Sequence, residues 1–250
     1  MGLCTLDLET RRLPLEHWFD CLATMVKLTI DEHGITIVSK HLESDAYKAV
    51  TQRGKYPVLG SFETILPLKP DIAFEPNDDL SVSLYRYGDG TLHPTNDAQY
   101  HRMALKDDLS LDESKSIRKL NGALSPSHPA MDGDMLWTVR SPYLGVGTAV
   151  IKMDTLTGQE TVWARLPGIL LVHQVQITTN WFVVVTPSIS PTLKGLWQSM
   201  IDGVHMSDFM TLNEQQTVQV YLVNRHFKNI VRKIDLKEVW SYRHITSCWE

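Results

Sequence analysis

Cysteine is scarce in this chain. The three cysteines among 250 residues, Cys4, Cys21 and Cys248, are odd in number and far apart. That spacing excludes both a disulfide framework and a C-x-x-C metal site, and it is typical of proteins in a reducing compartment. We therefore expect a cytoplasmic protein.

The sequence also lacks an apolar run long enough to cross a membrane. Its most apolar stretch, 168–187, is interrupted by His173, Gln174, Gln176 and Asn180, and a membrane span needs about 20 consecutive apolar residues. The N-terminal "MGLCTLDLETRRLP" has no apolar core of the kind a signal peptide requires. The formal net charge of -5 argues against non-specific nucleic-acid binding. We expect no nucleic-acid partner, and nothing in the sequence indicates a protein partner.

Common catalytic motifs are missing as well. The sequence contains no nucleophile elbow, phosphate-binding loop, H-E-x-x-H zinc motif or dinucleotide fingerprint. What is present is ordinary globular composition, with 43% hydrophobic and 21% charged residues. The chain therefore folds around a core, and its function must be sought in dispersed residues.

Short strands separated by turn residues dominate the sequence. "MVKLTI" and "ITIVSK" flank the turn "DEHG", "TAVIKMD" and "ETVWARL" flank "TLTGQ", and "TVQVYLVN" and "IVRKIDL" flank "RHFKN". Valine, isoleucine, threonine and aromatic residues fill these runs, as a half-buried pleated surface requires. The pattern predicts an all-β protein in one domain over 1–250, and a sandwich, a barrel and a propeller all fit it. Helices are predicted only over 190–203 and in "SDAYKAVTQ".

Three of the ten histidines stand apart from the rest. His128, His173 and His244 each lie at or near the start of a different predicted strand, whereas the others sit among polar or charged neighbours. Such a histidine is usually a hydrogen-bonded core residue. In a radial β-architecture, however, strand starts converge on the axis, and several neutral imidazoles together suit iron, copper or zinc.

Several blocks of the sequence resemble one known family. "EHWFDCLATMVKLTIDEHGITIVSKHLESDAYKAV", "NGALSPSHPAMDGDMLWTV", "VHQVQITTNWFVVVTPS" and "RHITSCWE" are similar, in order and spacing, to the histidine-bearing blocks of the animal carotenoid cleavage oxygenases. The resemblance runs from about residue 16 to residue 250.

The resemblance implies a fold, a metal and a reaction. The family fold is a seven-bladed β-propeller, of which this chain would form an incomplete portion, and four axial histidines hold a ferrous ion. His128, His173 and His244 match the first three ligands. The implied reaction is dioxygen-dependent cleavage of a carbon–carbon double bond in a carotenoid or related polyene. One branch of the family instead isomerises and hydrolyses retinyl esters, so a retinoid isomerohydrolase is the first alternative.

The sequence departs from the family pattern in places that bear on activity. A glutamate that supports a ligand histidine in the family aligns with Asn96 in "PTNDA", which predicts a weakened supporting position. Glu250 is expected to support the segment that carries His244. The chain ends at Glu250 without a match to the fourth histidine, so we expect weak iron binding and impaired activity from this chain alone. A non-catalytic truncated isoform or lipid-binding remnant is the second alternative, and contact with membranes is expected to be peripheral.

Overall fold

The computed structural model describes residues 5–8, 11–14, 21–53, 78–97, 102–116, 123–142, 147–191 and 210–250. Within these ranges there are 17 strands and a single helix, which confirms the predicted all-β class. The elements in chain order are β1 (Thr5–Leu8), β2 (Arg11–Pro14), β3 (Thr24–Asp31), β4 (Gly34–His41), α1 (Asp45–Arg53), β5 (Ser83–Arg86), β6 (Leu92–Thr95), β7 (Ala123–Leu124), β8 (Ala130–Asp132), β9 (Met135–Pro142), β10 (Thr148–Asp154), β11 (Glu160–Leu166), β12 (Gln176–Ile177), β13 (Trp181–Thr186), β14 (Ile189–Pro191), β15 (Met210–Leu212), β16 (Gln219–Asn224) and β17 (Val231–Asp235).

Two antiparallel sheets form the main body. One has five strands in the order β11-β10-β9-β7, with β8 also paired to β9, and the other has the order β12-β13-β16-β17. Their shared core is a single buried cluster, because apolar side chains alternate along β9, β10, β13 and β16 and one face of each sheet turns inward. The largest buried members are Trp137 and Phe182, whose rings stack with centroids 5.8 Å apart.

The strand predictions hold best where alternation is strong. β10 and β11 coincide with the predicted "TAVIKMD" and "ETVWARL", and β3 and β4 pair as the predicted hairpin from Thr24↔His41 to Asp31↔Gly34. The helix predicted in "SDAYKAVTQ" is α1. The helix predicted over 190–203 is wrong at its start, because 189–191 is strand β14, paired with β15. Residues 192–203 lie outside the described residues.

Helix α1 begins where polar side chains cap its free backbone amides. Tyr47 N donates to Ser44 Oγ over 2.9 Å, and Asp45 N and Ala46 N donate to the buried carboxylate of Asp78 over 2.7 and 2.8 Å. A carboxylate at a helix N-terminus satisfies orphan donors and complements the helix dipole. This contact anchors the helix to the start of the β5–β6 region.

The β3–β4 hairpin presents an apolar face to solvent. Direct cross-strand partners share a face of a hairpin, and the register places Leu28 opposite Ile37 and Ile30 opposite Ile35. Together with Val26 these side chains are 57% to 69% exposed. The opposite face contributes Met25 to a small buried cluster with Leu42, Leu80 and Met103. Apart from Met25, every residue of β3 and β4 is exposed, so the hairpin is held to the described core mainly at its base.

Candidate metal centre

The first two candidate histidines meet where the two main sheets adjoin. His128 N donates to His173 O over 3.1 Å, and Val175 N donates to His128 O over 3.1 Å. These bonds form an isolated parallel bridge between His128 and Gln174. The segment before β8 and the segment before β12 therefore run side by side, and both imidazoles project from this junction.

The third histidine arrives on a segment that is not a strand. His244 was predicted to begin a strand, but 236–250 contains no regular element. The backbone beside His244 is held by a side chain, because Ile245 N donates to Gln174 Oε1 over 2.7 Å and Gln174 Nε2 donates to Ile245 O over 3.0 Å. Earlier in the segment, the hydroxyl of Tyr242 donates to Val185 O. Side-chain hydrogen bonds thus replace the strand pairing that the prediction assumed.

The three rings form a nearly equilateral group. Ring centroids lie 4.9 Å apart for His128 and His173, and 5.0 Å apart for each pair that includes His244. The interplanar angles lie between 69° and 75°. One nitrogen of each ring lies within 4.8 Å of the other two. The structure therefore brings together all three histidines that the sequence singled out as ligands.

His128 has one nitrogen engaged and one nitrogen without a partner. Its Nδ1 lies 2.8 Å from Ser83 Oγ, while its Nε2 is buried and has no hydrogen-bond partner among the described residues. A buried polar nitrogen without a partner is costly and needs an explanation such as an ion. Burial lowers the pKa of His128, and the neighbouring His173 and His244 lower it further. The neutral form that a metal ligand requires is therefore favoured.

A carboxylate supports the second histidine, but it comes from Asp97. Asp97 Oδ2 lies 2.6 Å from His173 Nδ1, and Asp97 Oδ1 accepts a bond of 2.9 Å from Ser127 N. The expectation for Asn96 needs correction, because its amide donates to Asp79 O over 2.9 Å and its Oδ1 accepts from Asp97 N. The neighbouring carboxylate in "PTNDA" is the signal that could have identified Asp97.

Glu250 acts at a turn and makes no recorded contact with the three histidines. Its carboxylate accepts a hydrogen bond from the Thr178 hydroxyl, one from Asn180 N over 2.7 Å and one from Asn180 Nδ2 over 2.6 Å. These bonds, the Thr178 hydroxyl first, lower the pKa of Glu250. Glu250 therefore fastens its own segment to the turn between β12 and β13, six residues beyond His244. This contact agrees with the expectation that Glu250 supports the segment that carries His244.

A small cavity with both polar and apolar residues in its lining reaches Pro129, the residue after His128. It has a volume of about 30 Å³, and its lining includes Thr95, Pro129, Arg102, Arg140 and Glu160. A cavity of this size suits a water molecule. Arg140 and Glu160 pair across it with N–O distances of 2.8 and 3.0 Å. Because its lining is charged and its volume small, this cavity is not a candidate site for a polyene.

The donor set fits a transition-metal ion. Three imidazoles from separate segments converge, a carboxylate holds the outer nitrogen of His173, and a hydroxyl holds that of His128. Nitrogen donors with outer partners of this kind are the usual arrangement around zinc, copper or iron. No acidic ligand belongs to the group, so the donors would leave the full charge of a divalent ion on the metal.

The chain combines an all-β fold with three clustered histidines where its two main sheets adjoin. These features define an all-β protein with a candidate metal centre. Comparison with known proteins identifies its family. Residues 6–250 match the model described as "RPE65: Retinal pigment epithelial membrane protein". The chain belongs to this family. The carotenoid isomerooxygenase of Galleria mellonella is 22% identical over 271 residues, which cover 98% of this chain and 52% of that relative.

Solved structures show the same fold. Cobalt-substituted Synechocystis ACO has a TM-score of 0.71 at 15% identity, and an ACO/RPE65 chimera has a TM-score of 0.67 at 16% identity. Each comparison covers 89% of this chain and 49% of the other. These neighbours are β-propellers, so the prediction of an incomplete propeller portion is confirmed. The chain spans about half the length of the relatives it matches. No helix among the described residues is long and apolar enough to cross a membrane.

Proposed function

We propose that this chain carries the histidine centre of an iron(II)-dependent enzyme that cleaves or isomerises a carotenoid or a related apolar polyene. The convergence of His128, His173 and His244 within 4.8 Å carries the proposal. Family membership supports carotenoid chemistry in general, and the moth relative is named for both isomerisation and oxygenation. The proposed partners are the polyene and dioxygen, in the cytoplasm with peripheral membrane contact.

The supporting residues determine which nitrogen of each imidazole faces the ion. An ionised carboxylate only accepts hydrogen bonds, so Asp97 holds a proton on His173 Nδ1 and leaves Nε2 with its lone pair. The Ser83 hydroxyl can accept a hydrogen bond from His128 Nδ1 in the same way. The buried Nε2 of His128 then keeps its lone pair for the metal. Asp97 also fixes the backbone at Ser127, one residue before His128. One carboxylate thus orients two imidazoles.

A ferrous ion held by neutral imidazoles would supply the dioxygen chemistry that splits a carbon–carbon double bond. The contribution of this chain is to hold the three imidazoles correctly rotated and, at His128, to favour the neutral form. The lowered pKa of His128 serves that role, because protons compete with the metal for its lone pair.

Metal titration of the purified chain tests the proposal. Ferrous iron under anaerobic conditions, or cobalt(II), is expected to bind weakly, at one ion per chain. His128→Ala, His173→Ala and His244→Ala are each expected to weaken binding at least tenfold, since each removes a ligand. His33→Ala, which changes an exposed turn residue, is the matched control. Equal affinity in all four variants would contradict the proposed centre.

Retinoid isomerohydrolase chemistry is the second candidate, because the matching family model is described by a protein of the retinal pigment epithelium. The two candidates share the histidine centre and differ in product. β-Carotene and a retinyl ester offered separately to the iron-loaded chain distinguish them. Apocarotenal product supports cleavage, whereas an isomerised retinol supports the alternative.

A further inference from the structure

A side chain holds the backbone beside His244. Just before the segment 241–250, Ser188 N donates to Trp240 O over 3.0 Å, and within the segment the hydroxyl of Tyr242 donates to Val185 O. His128 and His173 are tied to each other through their own backbones. The contact next to the third imidazole is instead made by a side chain.

Gln174 supplies that contact through both ends of its amide. Its Oε1 accepts from Ile245 N over 2.7 Å, and its Nε2 donates to Ile245 O over 3.0 Å. The side chain thus bonds to one residue through both N–H and C=O, as a hydrogen-bonded residue pair does in an antiparallel ladder. A single glutamine side chain thus acts towards Ile245 as a strand partner would. Gln176 adds only one longer bond, of 3.2 Å, to the same Ile245 O.

Both residues of this contact lie next to a candidate ligand in the sequence. Gln174 directly follows His173, and Ile245 directly follows His244. The amide pair therefore sets the separation of two ligand-bearing backbones, one residue away from each imidazole. A displacement of this segment would move His244 relative to a group in which every ring lies about 5 Å from the other two.

We propose that Gln174 is a positioning residue of the metal centre, which acts on the metal through His244. The proposal rests on the proposed function, because it assigns a role toward the ion that the histidines would hold. The side-chain hydrogen bonds of Gln174 go to Ile245 and not to a ligand imidazole. It places one donor group, and its loss should lower metal affinity without disturbing the sheets.

The experiment compares metal affinity in matched variants of the 250-residue chain, titrated with cobalt(II) and with anaerobic ferrous iron. Gln174→Met keeps the length of the side chain and removes both bonds, so a loss of at least tenfold in affinity is expected, in the range found for partners of metal ligands. Gln176→Met, the control, removes only the longer bond and should change affinity less than threefold. Gln174→Ser, too short to reach Ile245, serves if the methionine variant does not fold.

A double-mutant cycle identifies the route of the effect. In a His244→Ala background, Gln174→Met should change affinity less than twofold, since the ligand through which it acts is gone. An equal loss in both backgrounds would overturn the proposal and assign the effect to His173 or to the fold. Unchanged affinity in Gln174→Met would also overturn it.

Amide exchange on the metal-free chain gives a readout independent of metal. Gln174→Met should speed exchange at Ile245 N–H at least tenfold while Val150 and Val184, buried in β10 and β13, keep their rates. Unchanged exchange at Ile245 would overturn the proposal that Gln174 holds this segment. If the unmodified chain binds neither ion, the proposed function fails, and the exchange result alone then decides whether Gln174 holds this segment.

Discussion

Asp97 Oδ2 lies 2.6 Å from His173 Nδ1, and the other oxygen of the same carboxylate accepts a hydrogen bond from Ser127 N, next to His128. One side chain from the end of the β5–β6 hairpin therefore connects the segments that carry two of the three histidines. Outer partners of metal ligands fix both the tautomer and the rotation of the imidazole. Asp97 does this for His173 and also fixes the backbone one residue before His128.

Asp97→Asn should weaken metal binding by about tenfold to a hundredfold. The two hydrogen bonds, from His173 Nδ1–H and from Ser127 N–H, go to different oxygens of Asp97, and asparagine puts an NH2 group in place of one of these acceptors. The measurement is a cobalt(II) or ferrous titration of the purified chain. Asp107→Asn is the control, because it makes the same charge change at an exposed turn. Affinity within twofold of the original chain in Asp97→Asn would contradict this role.

The sequence predicted the clustered histidines better than the residues that support them. Alternation predicted β10 and β11 residue for residue, because each strand packs one face into the core. The order and spacing of the sequence blocks that contain histidine predicted all three members of the cluster, His128, His173 and His244. The supporting position predicted at Asn96 lies one residue from Asp97, because the family alignment gives the block but does not show which of two adjacent polar side chains faces the histidines. The amide pair between Gln174 and Ile245 joins residues 71 apart, and only the folded chain shows it.

His93 should make the fold sensitive to mild acid. Its side chain is buried, stacks on Tyr87 with centroids 3.7 Å apart and bonds to Thr91 Oγ1. Burial, followed by the charge of Arg102, lowers its pKa from 6.5 to about 4. The unfolded chain therefore binds the proton more readily between these values, and stability should fall as pH decreases from 6.5 towards 4, by on the order of 3 kcal/mol from this group.

Denaturant unfolding at several pH values measures this effect by comparison with His93→Phe, which keeps a ring against Tyr87 and removes the titration. The comparison is needed because burial raises the pKa of Asp79 to about 7, and a raised carboxyl pKa makes stability fall as pH rises through the same range. Subtracting the two profiles cancels the Asp79 contribution. Parallel profiles for the two proteins would contradict the assignment to His93.

The exposed face of the β3–β4 hairpin should tolerate polar substitution. Leu28 and Ile37 are cross-strand partners, 57% and 67% exposed. The double variant Leu28→Thr/Ile37→Thr should change the free energy of unfolding by no more than about 0.5 kcal/mol, as surface substitutions usually do, and threonine suits a strand. Solubility at high concentration should increase, because contiguous apolar surface promotes association.

The control is Val150→Thr, at a fully buried position of β10, which should lower the free energy of unfolding by about 1 to 3 kcal/mol. A comparable loss in the hairpin variant would show that this face is covered.

Glu250 should stabilise the turn between β12 and β13 without affecting metal affinity. In Glu250→Gln an NH2 group replaces one carboxylate oxygen, and this group cannot accept the hydrogen bond from Asn180 Nδ2. The turn should loosen, so hydrogen exchange at the backbone amide of Asn180 should become several-fold faster. Metal affinity should stay within threefold, because Gln174 anchors Ile245 beside His244 while Glu250 binds six residues beyond that histidine. Glu214→Gln, at an exposed turn, is the control for charge. A tenfold loss of metal affinity in Glu250→Gln would mean that the whole segment from His244 to Glu250 moves as one unit, and that the anchor at its end positions the imidazole as strongly as the anchor beside it.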